Sequence, residues 1–292
     1  MMTGQKSTIR SRELGDALRL AMERANLSGK HAAHILGWSE TKVSRMLTGR
    51  QAVSGEDVSA LLALCLVKGD EKERLLRLAR DYSQRGWLQQ HGSDLPEQLR
   101  TLINHENQAT KITVFDALRI PGLLQTSDYA RALIERSASE PAARVESLVQ
   151  ARIGRQSLFN RDYRPDFTFY LHEFALRLPV GGRGVMSVQL HQLLQMSVRR
   201  YITIRVIPAS YGAFAALDSS CRLMEFAEMK PVVYVEEQTA GNFMEDAASV
   251  AAYRKIFSAL ADCALDERES KDVIAELAVD LYGGGEDQHD GS

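Results

Sequence analysis

The stretch "LSGKHAAHILGWSETKVSRMLTGR", Leu27 to Arg50, decides how the chain is read. Ser28 stands where an N-cap belongs, and Gly37 ends the apolar run that follows, as a residue tolerant of left-handed backbone does. Ser39 caps a second short helix that stops at Gly49, so the two helices are joined only by Gly37-Trp38-Ser39. A break that short forces a large angle between them, which defines a helix-turn-helix. Val43, Met46 and Leu47 recur at i, i+3 and i+4 and point into a core. The remaining faces carry Glu40, Thr41, Lys42, Ser44 and Arg45, an odd mixture for a helix with a purely structural task.

Working outward, "ELGDALRLAMERAN" puts Leu14, Ala17, Leu18, Ala21, Met22 and Ala25 on one stripe at helical spacing. "SGEDVSALLALCLV" reads as a fourth helix, and the segment from Gly69 to about Trp87 as a fifth. In a helix-turn-helix the second helix lies in the major groove, and its N-terminal residues reach base edges. Glu40, Thr41 and Arg45 are therefore the candidates for base contact. Arg45 suits a bidentate pair with guanine, and Glu40 can accept from a cytosine amine. Ser28, Lys30, Ser39, Lys42, Ser44 and Arg50 are placed to hold phosphates, which sets register without reading sequence.

Charge distribution agrees with this only after the chain is divided. The 292 residues carry a net charge of −2. Residues 1–92 hold 15 Lys and Arg against 10 Asp and Glu, and the rest hold 21 against 28, giving +5 and −7. A basic first part is a reason to look for an anion-binding module there. Cys65, Cys221 and Cys263 have no motif spacing and fit reduced thiols. No signal peptide and no run of membrane-spanning length is evident, so a cytoplasmic location without membrane contact is expected.

Between Trp87 and Leu95 periodicity is lost, and a linker is expected there. "PEQLRTLINHENQATKITVF" reads as one helix with Pro96 near its first turn. A Pro-Gly turn then leads into a helix capped by Thr126 or Ser127, and another helix runs through Val145, Leu148, Val149 and Ile153. After Tyr163 the period changes. "DFTFYLHEFAL", "ITIRVIPAS", "CRLMEFA" and "VVYVEE" are rich in β-branched and aromatic residues and read as strands. Two closing helices follow, and the tail 283–292 is expected to be disordered. The expected fold is α+β and multidomain: an all-α helix-turn-helix domain over 1–88 and an α+β domain with about four strands over 96–282.

The first part resembles the Xre-type helix-turn-helix family at Ala33, Gly37, Ser39, Val43, Ser44, Arg45 and Gly49. Gly29 departs from it, where many members carry a long polar side chain. The stretches "IPGLLQTSDYARAL", "QARIGRQSLF", "HEFALRLPVGGRGVMSVQLHQLL", "VVYVEEQTAGNF" and "ALDERESKDVI" resemble successive motifs of the actinobacterial WhiJ-like regulators. These antitoxin-like proteins join an Xre-type head to a domain of unknown function. The resemblance spans about Glu13 to Leu281 and implies transcriptional regulation in partnership with a small companion protein; it implies no catalytic chemistry.

Other candidates in the second part are weaker. His172, Glu173 and His191 lack zinc-like spacing, and alternation along a strand would put His172 and Glu173 on opposite faces, so no metal or cofactor is expected. Glu236, Glu237, Glu245 and Asp246 read as a solvated strand end and helix start. "VGGRG" lacks the pattern of a nucleotide loop and reads as a turn. In "IPGLLQT" the apolar residues beside a turn either plug a core or line a groove. Ile120, Pro121, Leu123 and Leu124, framed by Tyr129 and Arg131, are the candidates for contact with a partner or ligand. The alternative function is a ligand-responsive regulator whose second domain binds a small molecule or has weak hydrolytic activity. A homodimer reading two half-sites of an operator in double-stranded DNA is expected, because one head makes too few contacts for tight binding.

Overall fold

A computed structural model describes residues 8–49, 53–80, 87–90, 97–136, 142–212, 220–236 and 240–282. Arg50, residues 91–95 of the expected linker and the tail 283–292 lie outside them.

The head is five helices: α1 (Ile9–Arg24), α2 (Gly29–Leu36), α3 (Glu40–Leu47), α4 (Gly55–Leu64) and α5 (Gly69–Arg80). Its core follows from the sequence stripes. Leu14, Leu18 and Met22 of α1 pack with Met46 of α3, Leu61 and Leu62 of α4 and Leu75 of α5. Each short helix opens on a serine whose hydroxyl accepts a backbone N–H of the first turn: Ser28 from His31, Ser39 from Lys42, Ser54 from Asp57. Gly37 ends α2 at φ 65°, and the Trp38 N–H returns to the Ala33 carbonyl at 2.8 Å.

The second part is built on a sheet. In chain order come β1 (Trp87–Gln90), α6 (Glu97–Gln108), β2 (Lys111–Asp116), α7 (Ser127–Glu135), α8 (Val145–Gly154), β3 (Asp166–His172), α9 (Glu173–Arg177) and α10 (Arg183–Met196). Then follow β4 (Ile202–Ile207), β5 (Ser220–Glu225), β6 (Val232–Glu236), β7 (Ala240–Met244), α11 (Ala247–Cys263) and α12 (Glu267–Asp280). The sheet has seven strands in the order β1-β7-β6-β5-β2-β3-β4. β2, β3 and β4 run parallel, joined by helical crossovers, while every other pairing is antiparallel.

Side chains alternate across it. Ile112, Val114, Phe167, Phe169, Ile202 and Ile204 face α10 and α12, whose Leu190, Leu193, Ile274 and Leu277 complete that core. Phe115, Tyr170, Leu223 and Val233 face α11 through Val250, Phe257 and Leu260. The β4 edge is closed to further pairing by the chain leading into α12. The Leu265 N–H donates to the Val206 carbonyl at 2.8 Å, and the Val206 N–H to Ser270 Oγ at 2.9 Å.

The expected architecture, an all-α head and an α+β second domain, is the one found. Four expected strands correspond to β3, β4, β5 and β6, but the sheet is larger. The long helix read from Pro96 through Phe115 stops at Gln108, and "KITVFD" is β2, a central strand buried between β3 and β5. Its Ile-Thr-Val-Phe run has little helix propensity, and burial on both faces removes the alternation that marks a half-exposed strand. β7 is a further strand beyond the expected four, and Trp87–Gln90, inside the expected linker, pairs with it as β1. His172 and Glu173 do not alternate along a strand: His172 ends β3 and caps α9, which Glu173 begins.

Candidate nucleic-acid interface

α3 is pinned by its inner face and left open on its outer one. Val43 and Met46 are buried. Glu40, Thr41, Ser44 and Arg45 are exposed, and Thr41, Ser44, Arg45 and Thr48 recur at the spacing of a single helix face. Ser28, Lys30 and Ser39 are also exposed, at the adjoining starts of α2 and α3. The Ser28 and Ser39 hydroxyls are engaged as caps, so what they present outward is a helix N-terminus with its partial positive charge. Arg45 and Lys30 make no ion pair with any described residue.

Lys42 differs from the expectation. Its ammonium pairs with Asp57 of α4 at 2.7 Å and lies 4.2 Å from the centre of the Trp38 ring. The turn residue and the helix it introduces are thereby tied to α4, a cross-link invisible in the linear spacing.

Behind α3 stands α1, and α1 is wedged into the second domain. Ile9 belongs to the large sheet core that also holds Leu102 and Phe243. The Ile9 N–H donates to Glu245 Oε2 at 3.0 Å. Thr101 Oγ1 donates to Glu13 Oε2 at 3.0 Å. Arg12 Nη2 donates to His105 Nε2 at 3.0 Å, and Nδ1 of that ring donates to the Thr101 carbonyl at 2.7 Å, so the imidazole is neutral. Burial, then the charge of Arg12, pushes the His105 pKa down to about 3. Arg12 is itself lowered to about 10 by burial, against the pull of Glu245, and remains charged at neutral pH.

On its other side α1 touches the end of α3. Arg19 Nη2 donates to the Leu47 carbonyl at 2.8 Å. Gly49, at φ 63°, lies so close to α1 that an added Cβ would fall 2.6 Å from the Ser11 backbone. One helix thus touches both the candidate recognition helix and the second domain.

In the "IPGLLQT" turn, Ile120, Leu123, Leu124 and Tyr129 are buried in the sheet core. The Ile120 N–H donates to the Tyr129 hydroxyl at 3.1 Å, and Gln189 of α10 accepts from the Thr126 N–H and donates to the Leu124 carbonyl, both at 2.8 Å. Pro121 precedes a single 3-10 turn, Gly122–Leu124. Arg131 lies apart, on the surface, paired with Glu146 at 2.6 Å. Core packing is therefore what the apolar residues of this turn do. Two of the acidic residues read as solvated are committed: Glu245 to α1, as above, and Glu236 toward Arg222 and Arg119, both at 3.9 Å. Asp246 is the N-cap of α11, and Glu237 lies outside the described residues.

A helical DNA-binding head on an α+β domain is the class this architecture defines, and comparison with known proteins agrees. Residues 13–75 match a helix-turn-helix domain. Residues 99–276, more than half of the chain, match a domain of unknown function, DUF5753. The chain belongs to the DUF5753 family, as a helix-turn-helix regulator that carries this domain at its C-terminal side. No curated protein matches it. Among solved structures it is similar to TrmBL2, an archaeal chromatin protein whose structure shows a novel mode of DNA binding, at 11% identity and a TM-score of 0.30. The match covers 67% of this chain and spans 60% of that one, a likeness too loose to inform fold or function. No described helix is long and apolar enough to cross a membrane.

Proposed function

We propose that this chain is a sequence-specific transcriptional regulator that binds its operator as a homodimer and whose second domain receives a small companion protein. The observation that carries the DNA reading is the exposed outer face of α3, where Glu40, Thr41 and Arg45 stand above a buried Val43–Met46 face. Arg45 reads a base, Lys30 and the capped ends of α2 and α3 hold phosphate, and Glu40 sets preference at a neighbouring pair. No catalytic step belongs to this reading.

The α1 wedge supports a regulatory role for the second domain. A partner that shifts the α6 surface moves Arg12 and Glu13, and through α1 it moves the seat of α3. Such coupling is reciprocal, so operator DNA changes partner affinity by the same factor that partner changes operator affinity. The test is operator selection and footprinting with the full chain and with Arg45→Ala. The variant loses ~1–3 kcal/mol of specific binding and relaxes preference at one base pair. A variant footprint identical to the parent's would refute the groove assignment.

A further inference from the structure

Beside the IPG turn, at the C-terminal ends of β2 and β6, a small polar cleft with a cavity volume of about 20 Å³, open to solvent, is lined by four arginines: Arg119, Arg152, Arg155 and Arg222. They are not equivalent. Arg155 and Arg222 are spent on Glu106, which is 0% exposed. Arg155 donates to it through Nε at 2.9 Å and Nη2 at 2.6 Å, and Arg222 through Nη1 at 3.1 Å. A buried carboxylate held by two guanidiniums offsets much of their charge and fixes both side chains in place.

Arg119 and Arg152 have capacity to spare. Arg119 reaches Asp116 only at 3.6 Å and Glu236 only at 3.9 Å, and its side chain is 46% exposed. Arg152 is half-buried, makes no ion pair with any described residue, and donates from Nη1 to the Gln125 amide oxygen at 3.1 Å. One neutral acceptor satisfies one of five guanidinium donors. A structural task would not need the charge, since Gln125 is already held through its Nε2 on the Ile120 carbonyl at 2.7 Å.

The charge is also costly where it stands. Burial first, then crowding by Arg155, Arg119 and Arg222, lowers the Arg152 pKa against the pull of Glu236. Facing the four arginines are three carboxylates, Glu106, Glu236 and Asp116, so the cations outnumber the anions by one; burial pushes the Asp116 pKa up, against the pull of Arg119. The cleft therefore holds surplus positive charge in a low-dielectric setting that opens to solvent, the condition under which a bound anion gains most. Its floor is kept clear. A Cβ on Gly122 would lie 3.3 Å from Arg155 Nη1 and 3.7 Å from the Arg152 stem, so glycine avoids a close approach to the guanidinium heads.

We propose that this cleft binds a small ligand through an oxyanion, phosphate-like or carboxylate, with Arg152 and Arg119 as direct donors and the Arg155–Glu106–Arg222 unit as a fixed frame. The planar fork of a guanidinium matches either oxyanion in two parallel hydrogen bonds. The site stands independently of the DNA reading and of the companion protein, because no described residue of the head lines it.

The experiment uses the full chain without DNA, titrated with inorganic phosphate, sulfate or acetate against sodium chloride at matched ionic strength. Calorimetry and thermal melting are the readouts. At least one oxyanion binds saturably with a Kd of about 1 mM or tighter and raises the Tm by a few degrees. Phosphate and sulfate alone would identify a tetrahedral group, and acetate alone a carboxylate. Arg152→Gln weakens binding at least tenfold, and Arg119→Gln, at an exposed position, does so in a fold that needs no buried change. Arg254→Gln, on α11 beyond the sheet, binds as the parent does. No saturable binding of any of the three anions, or full binding by the Arg152 and Arg119 variants, overturns the proposal.

Discussion

Acidification should loosen the seam between head and second domain, and His105 sets the size of the effect. The imidazole is buried and neutral, donating to the Thr101 carbonyl and accepting from Arg12, and its pKa is held at about 3. In the unfolded chain it returns to about 6.5. Between those values the unfolded state binds a proton that the folded state refuses, so stability falls as pH drops through 6.5 and levels only below 3. At pH 5 the loss from this one group is ~2 kcal/mol, which for a chain of this size is a Tm decrease of roughly 4–8 °C.

Other titrating groups blur a single melting curve, so the assay is the difference between parent and His105→Gln from pH 7.5 to pH 5. Glutamine supplies the same two functions, an N–H for the Thr101 carbonyl and an acceptor for Arg12, without titrating. The variant is less stable than the parent at pH 7.5 and gains on it steadily as pH falls. A constant offset across that range would refute the burial argument. It would mean that water reaches the ring and leaves its folded pKa near the unfolded value, whereas a parent that gains on the variant as pH falls would mean that the folded ring is protonated.

Two further perturbations address the head. Asp57→Asn releases Lys42 from its 2.7 Å pair, freeing an ammonium for phosphate. Operator affinity rises, and the slope of log affinity on log salt steepens by up to ~0.9, read from binding at a series of salt concentrations; an unchanged slope means Lys42 faces no phosphate. Gly49→Ala forces a side chain into left-handed backbone, at about 1–2 kcal/mol, and into the Ser11 backbone 2.6 Å away. The melting temperature drops and operator binding falls with it, whereas an unperturbed melt would show that α1 and α3 are not packed as described.

Everything local is encoded in the residues themselves. Serine caps, the Gly37 stop and the i, i+3, i+4 stripe are short-range signals, because a helix closes its hydrogen bonds and presents its faces within a few residues. The helix-turn-helix and the outward position of Glu40, Thr41 and Arg45 are therefore legible in the linear chain. Half-exposed strands such as β4 are legible for the same reason, through alternation. β2 is not, since a strand buried on both faces has no alternation, and its Ile-Thr-Val-Phe run merges with the preceding helix. Nor are β1 and β7, which are defined by pairing across more than a hundred residues of chain.

The functional surfaces divide along the same line. That Lys42 is occupied by Asp57, that Glu245 receives α1, and that the apolar residues of "IPGLLQT" are core all depend on contacts between distant segments. The arginine cleft is the extreme case. Arg152 and Arg155 share one helical run at i, i+3 spacing, but Arg119 and Arg222 sit on distant segments, and no spacing rule links them to that pair. Charge becomes informative when burial makes it expensive, and burial is a property of the assembled fold rather than of any window of the chain.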